Sequence, residues 1–155
     1  MTVRIATTND MQQLCSLYRQ MNFEIAALQR LDSFSIEPDR ERIKQQLSSD
    51  NCVILIAESE SQLLNGFVYL EKQDFGTDSG VSVPLASIKA YYARRNEQRD
   101  DTIYSLLQAA ERWAKSRGAK QLTVTILAQD GFGLGMFEKQ GFETAARVMC
   151  RKYSE

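Results

Sequence analysis

From Ile103 to Tyr153 the chain forms one connected run, and that run restricts the fold more than any other feature. Ile103, Leu106, Leu107, Ala110, Trp113 and Ala114 recur at helical spacing, and Gly118 marks the end of that helix. Gln121-Leu-Thr-Val-Thr-Ile-Leu127 is rich in β-branched residues and predicts a strand. A short helix follows, then the turn Phe137-Glu-Lys-Gln-Gly-Phe142. Arg147-Val-Met-Cys150 predicts a closing strand.

Upstream, Val3-Arg-Ile-Ala6 alternates as a short strand, and Thr7 to Asp10 offers several helix N-caps. Met11, Leu14, Cys15, Tyr18 and Met21 form the buried stripe of a first helix, and Phe23 to Phe34 is a less regular apolar stretch. Glu37-Pro38-Asp39 opens a second helix through Ile43 and Leu47, its acids placed where the helix dipole favours them. Cys52–Ala57 and Leu64–Leu70 predict two antiparallel strands around a turn in Glu58–Gln62. Gly76–Gly80 marks a longer connection, and Pro84–Tyr92 supplies another strand. The expected order is β-α-α-β-β-β-α-β-α-β, an α/β (α+β) chain with a central mixed sheet flanked by helices. Without repeat, low-complexity tract or linker, residues 1–155 are expected to form one domain.

A net charge of −1 gives no electrostatic footprint for nucleic acid or an anionic membrane. No apolar run reaches the length of a spanning helix, and the N-terminus lacks the core of a signal peptide. The expected location is the cytoplasm. Cys15, Cys52 and Cys150 lie far apart without metal-ligand spacing, so they are expected to be buried reduced thiols, with no metal site. Histidine is absent, which removes imidazole-based nucleophile systems and imidazole acid–base chemistry. Catalysis on this chain falls to carboxylates, tyrosines, backbone groups or a cofactor.

The element order resembles that of the GNAT superfamily of acyl-CoA-dependent N-acetyltransferases. Asn65-Gly-Phe67 is similar to the start of the family's third strand. Trp113-Ala-Lys-Ser-Arg-Gly118 resembles the helix end before its fifth strand, and Phe137-Glu-Lys-Gln-Gly-Phe142 resembles its closing Tyr-Glu-Lys-x-Gly-Phe. The resemblance implies the GNAT fold, with a mostly antiparallel sheet, and acetyl-CoA as co-substrate. It also implies transfer of acetyl to an amine, which could be a small molecule or a peptide, and it allows a homodimer. The alternative is a GNAT-fold module that binds or regulates without catalysis.

The resemblance also locates the departures. The family's Arg/Gln-x-x-Gly-x-Gly/Ala loop, whose glycines let backbone N–H groups approach a pyrophosphate, falls on Tyr92 to Tyr104. Counted back from the helix, Arg99 takes the Arg position, and Thr102 and Tyr104 take the glycine positions. Counted forward from the strand, Gln98, Asp101 and Ile103 take them instead. Neither register finds a glycine. Arg94, Arg95 and Arg99 offset Glu97, Asp100 and Asp101, and Asp101 or Thr102 would make a good N-cap. The cofactor contacts implied are Ala93, Arg94, Gln98, Arg99, Asp101, Thr102, Tyr104, Asp130 and Phe137. Phe137 stands where the family's proton-donating tyrosine would be, and Asp130 where it has an asparagine. Gly131, Gly133 and Gly135 in one short helix suggest a close backbone approach. Glu71 is the candidate general base, and Tyr92 or its neighbour Tyr91, near the end of the fourth strand, a candidate replacement acid.

Overall fold

The structure is a computed structural model that describes residues 1–30, 35–76, 80 and 82–153. It divides into two compact units, Met1–Thr125 and Ile126–Glu155. The first unit is built on a five-stranded sheet in the order β1-β2-β3-β4-β5. Its strands are β1 (Thr2–Ile5), β2 (Cys52–Glu58), β3 (Leu64–Gly76), β4 (Ser82–Ala93) and β5 (Gln121–Val124). All neighbours run antiparallel except β4 and β5, which are parallel because a helix crosses between them.

Helices α1 (Met11–Gln29) and α2 (Arg40–Ser48) cover one face of this sheet. Leu14, Leu17 and Ile43 pack there with Ile54, Ile56, Phe67, Tyr69 and Tyr92. Strand alternation turns Val68 and Leu70 to the other face, which α3 (Arg99–Ser116) covers with Ile103, Leu106, Ala110 and Trp113. The apolar stripes read from the sequence are therefore the two core faces. Asp39 caps α2 by accepting the Arg42 backbone N–H at 3.1 Å. Gly118, at φ +78°, ends the α3 turn as expected, with its N–H on Lys115 and that of Ala119 on Ala114.

Several expectations need correction. The irregular apolar stretch from Phe23 is a continuation of α1, which ends only at Arg30 in a left-handed conformation (φ 53°). The rest of that stretch, Leu31–Phe34, lies outside the described residues. The strand expected at Gln121–Leu127 stops at Val124. The closing strand expected at Arg147–Cys150 does not form: residues 143–153 have no regular structure, with Val148 at 92% and Met149 at 91% exposure. An apolar run becomes a strand only where a ladder partner takes its backbone groups, and sequence pattern does not supply the partner. The cysteine expectation holds only in part. Cys15 is buried, Cys52 half-buried and Cys150 exposed.

One ion cluster ties β1 to the start of α1. The Arg4 guanidinium donates to both Asp10 carboxylate oxygens, at 2.9 and 2.8 Å, and also to Glu58. Asp10 is buried and accepts the Thr7 backbone N–H at 2.8 Å. The Arg4 hydrogen bonds hold the Asp10 carboxyl below the usual carboxylate range, against an opposing effect of burial. This contribution is complete above the ordinary carboxylate pKa and is lost as pH falls through the lowered folded value. Asp10→Ala is expected to cost about 2 kcal/mol near neutrality, less than a fully buried pair because Arg4 is partly solvated. Urea unfolding of both proteins should show the difference shrinking as pH falls below the ordinary carboxylate range.

Candidate active site

The sheet opens where β4 leaves β5. The last β4–β5 pair is Ile88 with Val124, yet β4 continues to Ala93. Lys89–Ala93 therefore have β3 on one side and, among the described residues, no strand on the other. On the β3 side, Tyr69 pairs with Ala90 and Leu70 with Ile88, so Lys89 is left over as a bulge. The bulge bends β4 at the point of parting and leaves Lys89 exposed. The result is a gap along β4, whose Lys89–Ala93 edge has no strand partner on the β5 side among the described residues.

At its far end β4 turns into α3 over Arg94–Gln98. Asn96 organises the turn: its side-chain oxygen accepts the Gln98 N–H at 2.9 Å and its carbonyl accepts that of Arg99 at 3.1 Å. The helix starts at Arg99 with Gln98 as N-cap and no side-chain cap bond, so neither Asp101 nor Thr102 is the cap. The Thr102 N–H goes to the Gln98 carbonyl at 2.8 Å, while the amides of Asp100 and Asp101 have no partner among the described residues. Both aspartate side chains are exposed. Two open amides at the positive end of an 18-residue helix can take an anion.

Gly66 of β3 lies directly beneath this turn. A Cβ there would stand 2.6 Å from the Tyr92 carbonyl oxygen, 3.0 Å from the Thr102 methyl and 3.2 Å from the Ala93 Cα. The glycine that the loop lacks is present one strand away. Thr102 and Ala93 are both buried here, with the Thr102 hydroxyl on Met1 Sδ at 3.3 Å. Arg94 is partly committed inward, its Nε on the Leu64 carbonyl at 2.8 Å and its N–H on that of Asn65. The Gln98 side chain accepts from Asn65 at 3.4 Å. Tyr104 is exposed and accepts from Gln108 at 2.7 Å.

The two candidate catalytic groups lie on the α1/α2 face. Tyr92 is buried, and its hydroxyl donates to Glu24 of α1 at 3.2 Å; Arg95 Nε meets the same carboxylate at 2.9 Å. Burial and then Glu24 push the Tyr92 hydroxyl upward, with Arg99 and Arg95 opposing. Glu71 pairs with Ser87 across β3–β4, one pair beyond the Leu70–Ile88 pair that flanks the bulge, and is half-buried. It accepts hydrogen bonds from the Tyr69 hydroxyl and from Gln73 at 3.3 Å. Burial, then this bond to Glu71, raises the Tyr69 pKa, so Tyr69 stays protonated and keeps donating. Glu71 opens onto a pocket of about 300 Å³ lined by Arg42, Gln46, Asn51, Cys52 and Tyr69 among others.

Sequence reading missed several of these groups. Tyr69 could have been found, since it alternates with Glu71 onto the same face. Arg42 and Gln46 read as solvated positions of a short helix. The bulge at Lys89 leaves no mark in the residue pattern. Among the described residues, no group of His, Cys, Asp or Glu is placed to hold a metal ion, and no helix is long and apolar enough to cross a membrane.

The second unit contains α4 (Gly131–Lys139). Asp130 is its N-cap, accepting the Gly133 N–H at 2.8 Å. Phe137 is buried and meets Phe142 edge-on, ring centroids 5.2 Å apart. An added Cβ at Gly131 or Gly135 would meet nothing within 4 Å, so crowding by this chain's own atoms explains neither glycine.

Solved structures share this architecture. A mutant of the BH1408 protein from Bacillus halodurans aligns over 99% of this chain and 100% of its own, at TM-score 0.90 and 12% identity. The aminoglycoside antibiotic 6'-N-acetyltransferase AAC(6')-Ih from Acinetobacter baumannii aligns over 99% and 98%, at TM-score 0.77 and 14% identity. AAC(6')-Iy, in complex with the bisubstrate analog CoA-S-monomethyl-acetylneamine, aligns over 99% and 97%, at TM-score 0.76 and 15% identity. At such identities the likeness is one of fold. No curated protein matches the chain by sequence. The model of the acetyltransferase (GNAT) family matches residues 11–142, most of the chain and part of both units, and the protein belongs to that family.

Proposed function

We propose that the protein transfers an acetyl group from acetyl-CoA to an amine by direct attack within a ternary complex. The observation that carries this reading is the parting of β4 from β5 at the Lys89 bulge, which leaves a strand edge able to bind an extended pantetheine arm. The open amides of Asp100 and Asp101 suit the pyrophosphate at the end of the same edge, without the family's glycines. The exposed carboxylates of those two residues work against it, and the helix dipole and Arg99 work for it.

In this reading β4 backbone N–H groups beside the bulge polarise the thioester carbonyl, and Glu71 accepts a proton from the attacking amine. The N–C bond forms, the C–S bond breaks, and the released thiolate takes its proton from solvent. Phe137 has no proton to give, and a thiolate is a tolerable leaving group near neutral pH. Most of the rate acceleration then comes from holding amine and thioester together.

Thiol release from acetyl-CoA, followed across a panel of amines, tests the reading. Amine-dependent release supports it. Binding of coenzyme A with no release from any amine would leave the alternative, a non-catalytic acyl-CoA-binding module, which the buried Phe137 favours. The proposed site of action is the cytoplasm, where the exposed Cys150 thiol would stay reduced. Pairing of two copies belongs to the same proposal. Its support is the apolar surface of Val148, Met149 and Tyr153, each at least 85% exposed. Light scattering that reports a monomer at high concentration would remove it.

A further inference from the structure

The pocket beside Glu71 holds two opposite charges that are not joined to each other. Among the described residues, Glu71 is hydrogen-bonded only by the neutral groups of Tyr69 and Gln73, and no cation stands within ion-pair distance. Arg42 lines the same pocket, and its guanidinium has neither a hydrogen bond nor an ion pair among the described residues. Gln46 lines the same pocket, and its side-chain oxygen is buried without a partner among the described residues. Such an acceptor is costly to leave unsatisfied, and a ligand N–H would satisfy it.

We infer that this pocket binds the acetyl acceptor as a small amino-carboxylate, with its ammonium on Glu71 and Gln46 and its carboxylate on Arg42. The inference rests on the acetyltransferase reading above and names the substrate class of that site. A guanidinium with free donors matches a carboxylate in two-point geometry. The volume, about 300 Å³, lies at the lower limit for ligand pockets and suits a small molecule. The lining also argues against a polycation. Arg42 and Lys72 outnumber Glu71, so each further ammonium on a ligand meets net positive charge. The aminoglycosides of the structural neighbours are therefore poor candidates here. The register places Glu71 beside Ser87 of β4, two residues before Lys89, where β4 parts from β5.

Calorimetric binding of a series of linear amino acids, set against their carboxamides and the matching alkylamines, tests this on the full chain without turnover. One spacing of amine and carboxylate is expected to bind at least about tenfold tighter than its carboxamide, the loss expected for one charge-assisted contact. Arg42→Gln should erase that preference while leaving carboxamide affinity unchanged, and Arg42→Lys should restore part of it. Equal binding of amino acids and carboxamides, or tighter binding of an aminoglycoside, would overturn the inference even if acetyl-CoA is turned over with another amine. Selective amino-carboxylate binding without acetyl transfer would uphold the pocket and overturn the acetyltransferase reading.

Discussion

Glu71→Gln is expected to lower kcat for acetyl transfer by about 10²–10³-fold, the usual worth of a positioned general base. The substitution keeps the side chain's size and its acceptor oxygen for Tyr69, so the pocket should keep its shape. It removes the group that takes the amine proton and the only negative charge lining the pocket among the described residues. Acetyl-CoA affinity should not change, because the proposed cofactor contacts lie along β4 and at the start of α3. A drop in kcat with unchanged acetyl-CoA binding separates loss of the base from loss of the fold. An unchanged kcat would move the proton acceptor to another group or to water.

Gly66→Ala carries the largest expected effect on stability. Its added Cβ would press on backbone, the Tyr92 carbonyl at 2.6 Å and the Ala93 Cα at 3.2 Å, which cannot swing aside as a flexible side chain would. Overpacking of this kind costs about 2–3 kcal/mol, a fall of roughly 5–10 °C in Tm for a chain of this size. The relief available is to push the end of β4 and the start of α3 away from β3, and those elements hold the open amides. Weaker acetyl-CoA binding is therefore expected alongside the lower Tm. A variant as stable as the parent would show that the turn has slack and that Gly66 does not set its position.

These two residues show how legibility divides along the chain. Gly66 was readable as the glycine of a strand start, but the reason for it is a carbonyl from a strand that follows much later. The apolar stripes of α1, α2 and α3 and the β-rich runs of β2 to β4 were legible because burial writes a period into sequence. The closing run Arg147–Cys150 had the same composition but no partner, and it stayed irregular. The loop before α3 could be counted in two registers, and only the start of the helix at Arg99 shows how Asn96 closes the turn. Glu71 reads as the residue that follows the expected strand Leu64–Leu70, whereas β3 runs on to Gly76 and holds it mid-strand. The groups that give it a setting, Tyr69, Gln46 and Arg42, come from two elements whose contact no local pattern records.

Calorimetric titration of acetyl-CoA and of free coenzyme A, at low and moderate salt, measures whether the β4 edge and the α3 terminus hold the cofactor. Micromolar binding of both is expected, one per chain, weakening as salt screens the pyrophosphate from the α3 terminus. No binding at millimolar ligand would contradict it, and would mean that a loop without glycines, flanked by Asp100 and Asp101, cannot hold the cofactor.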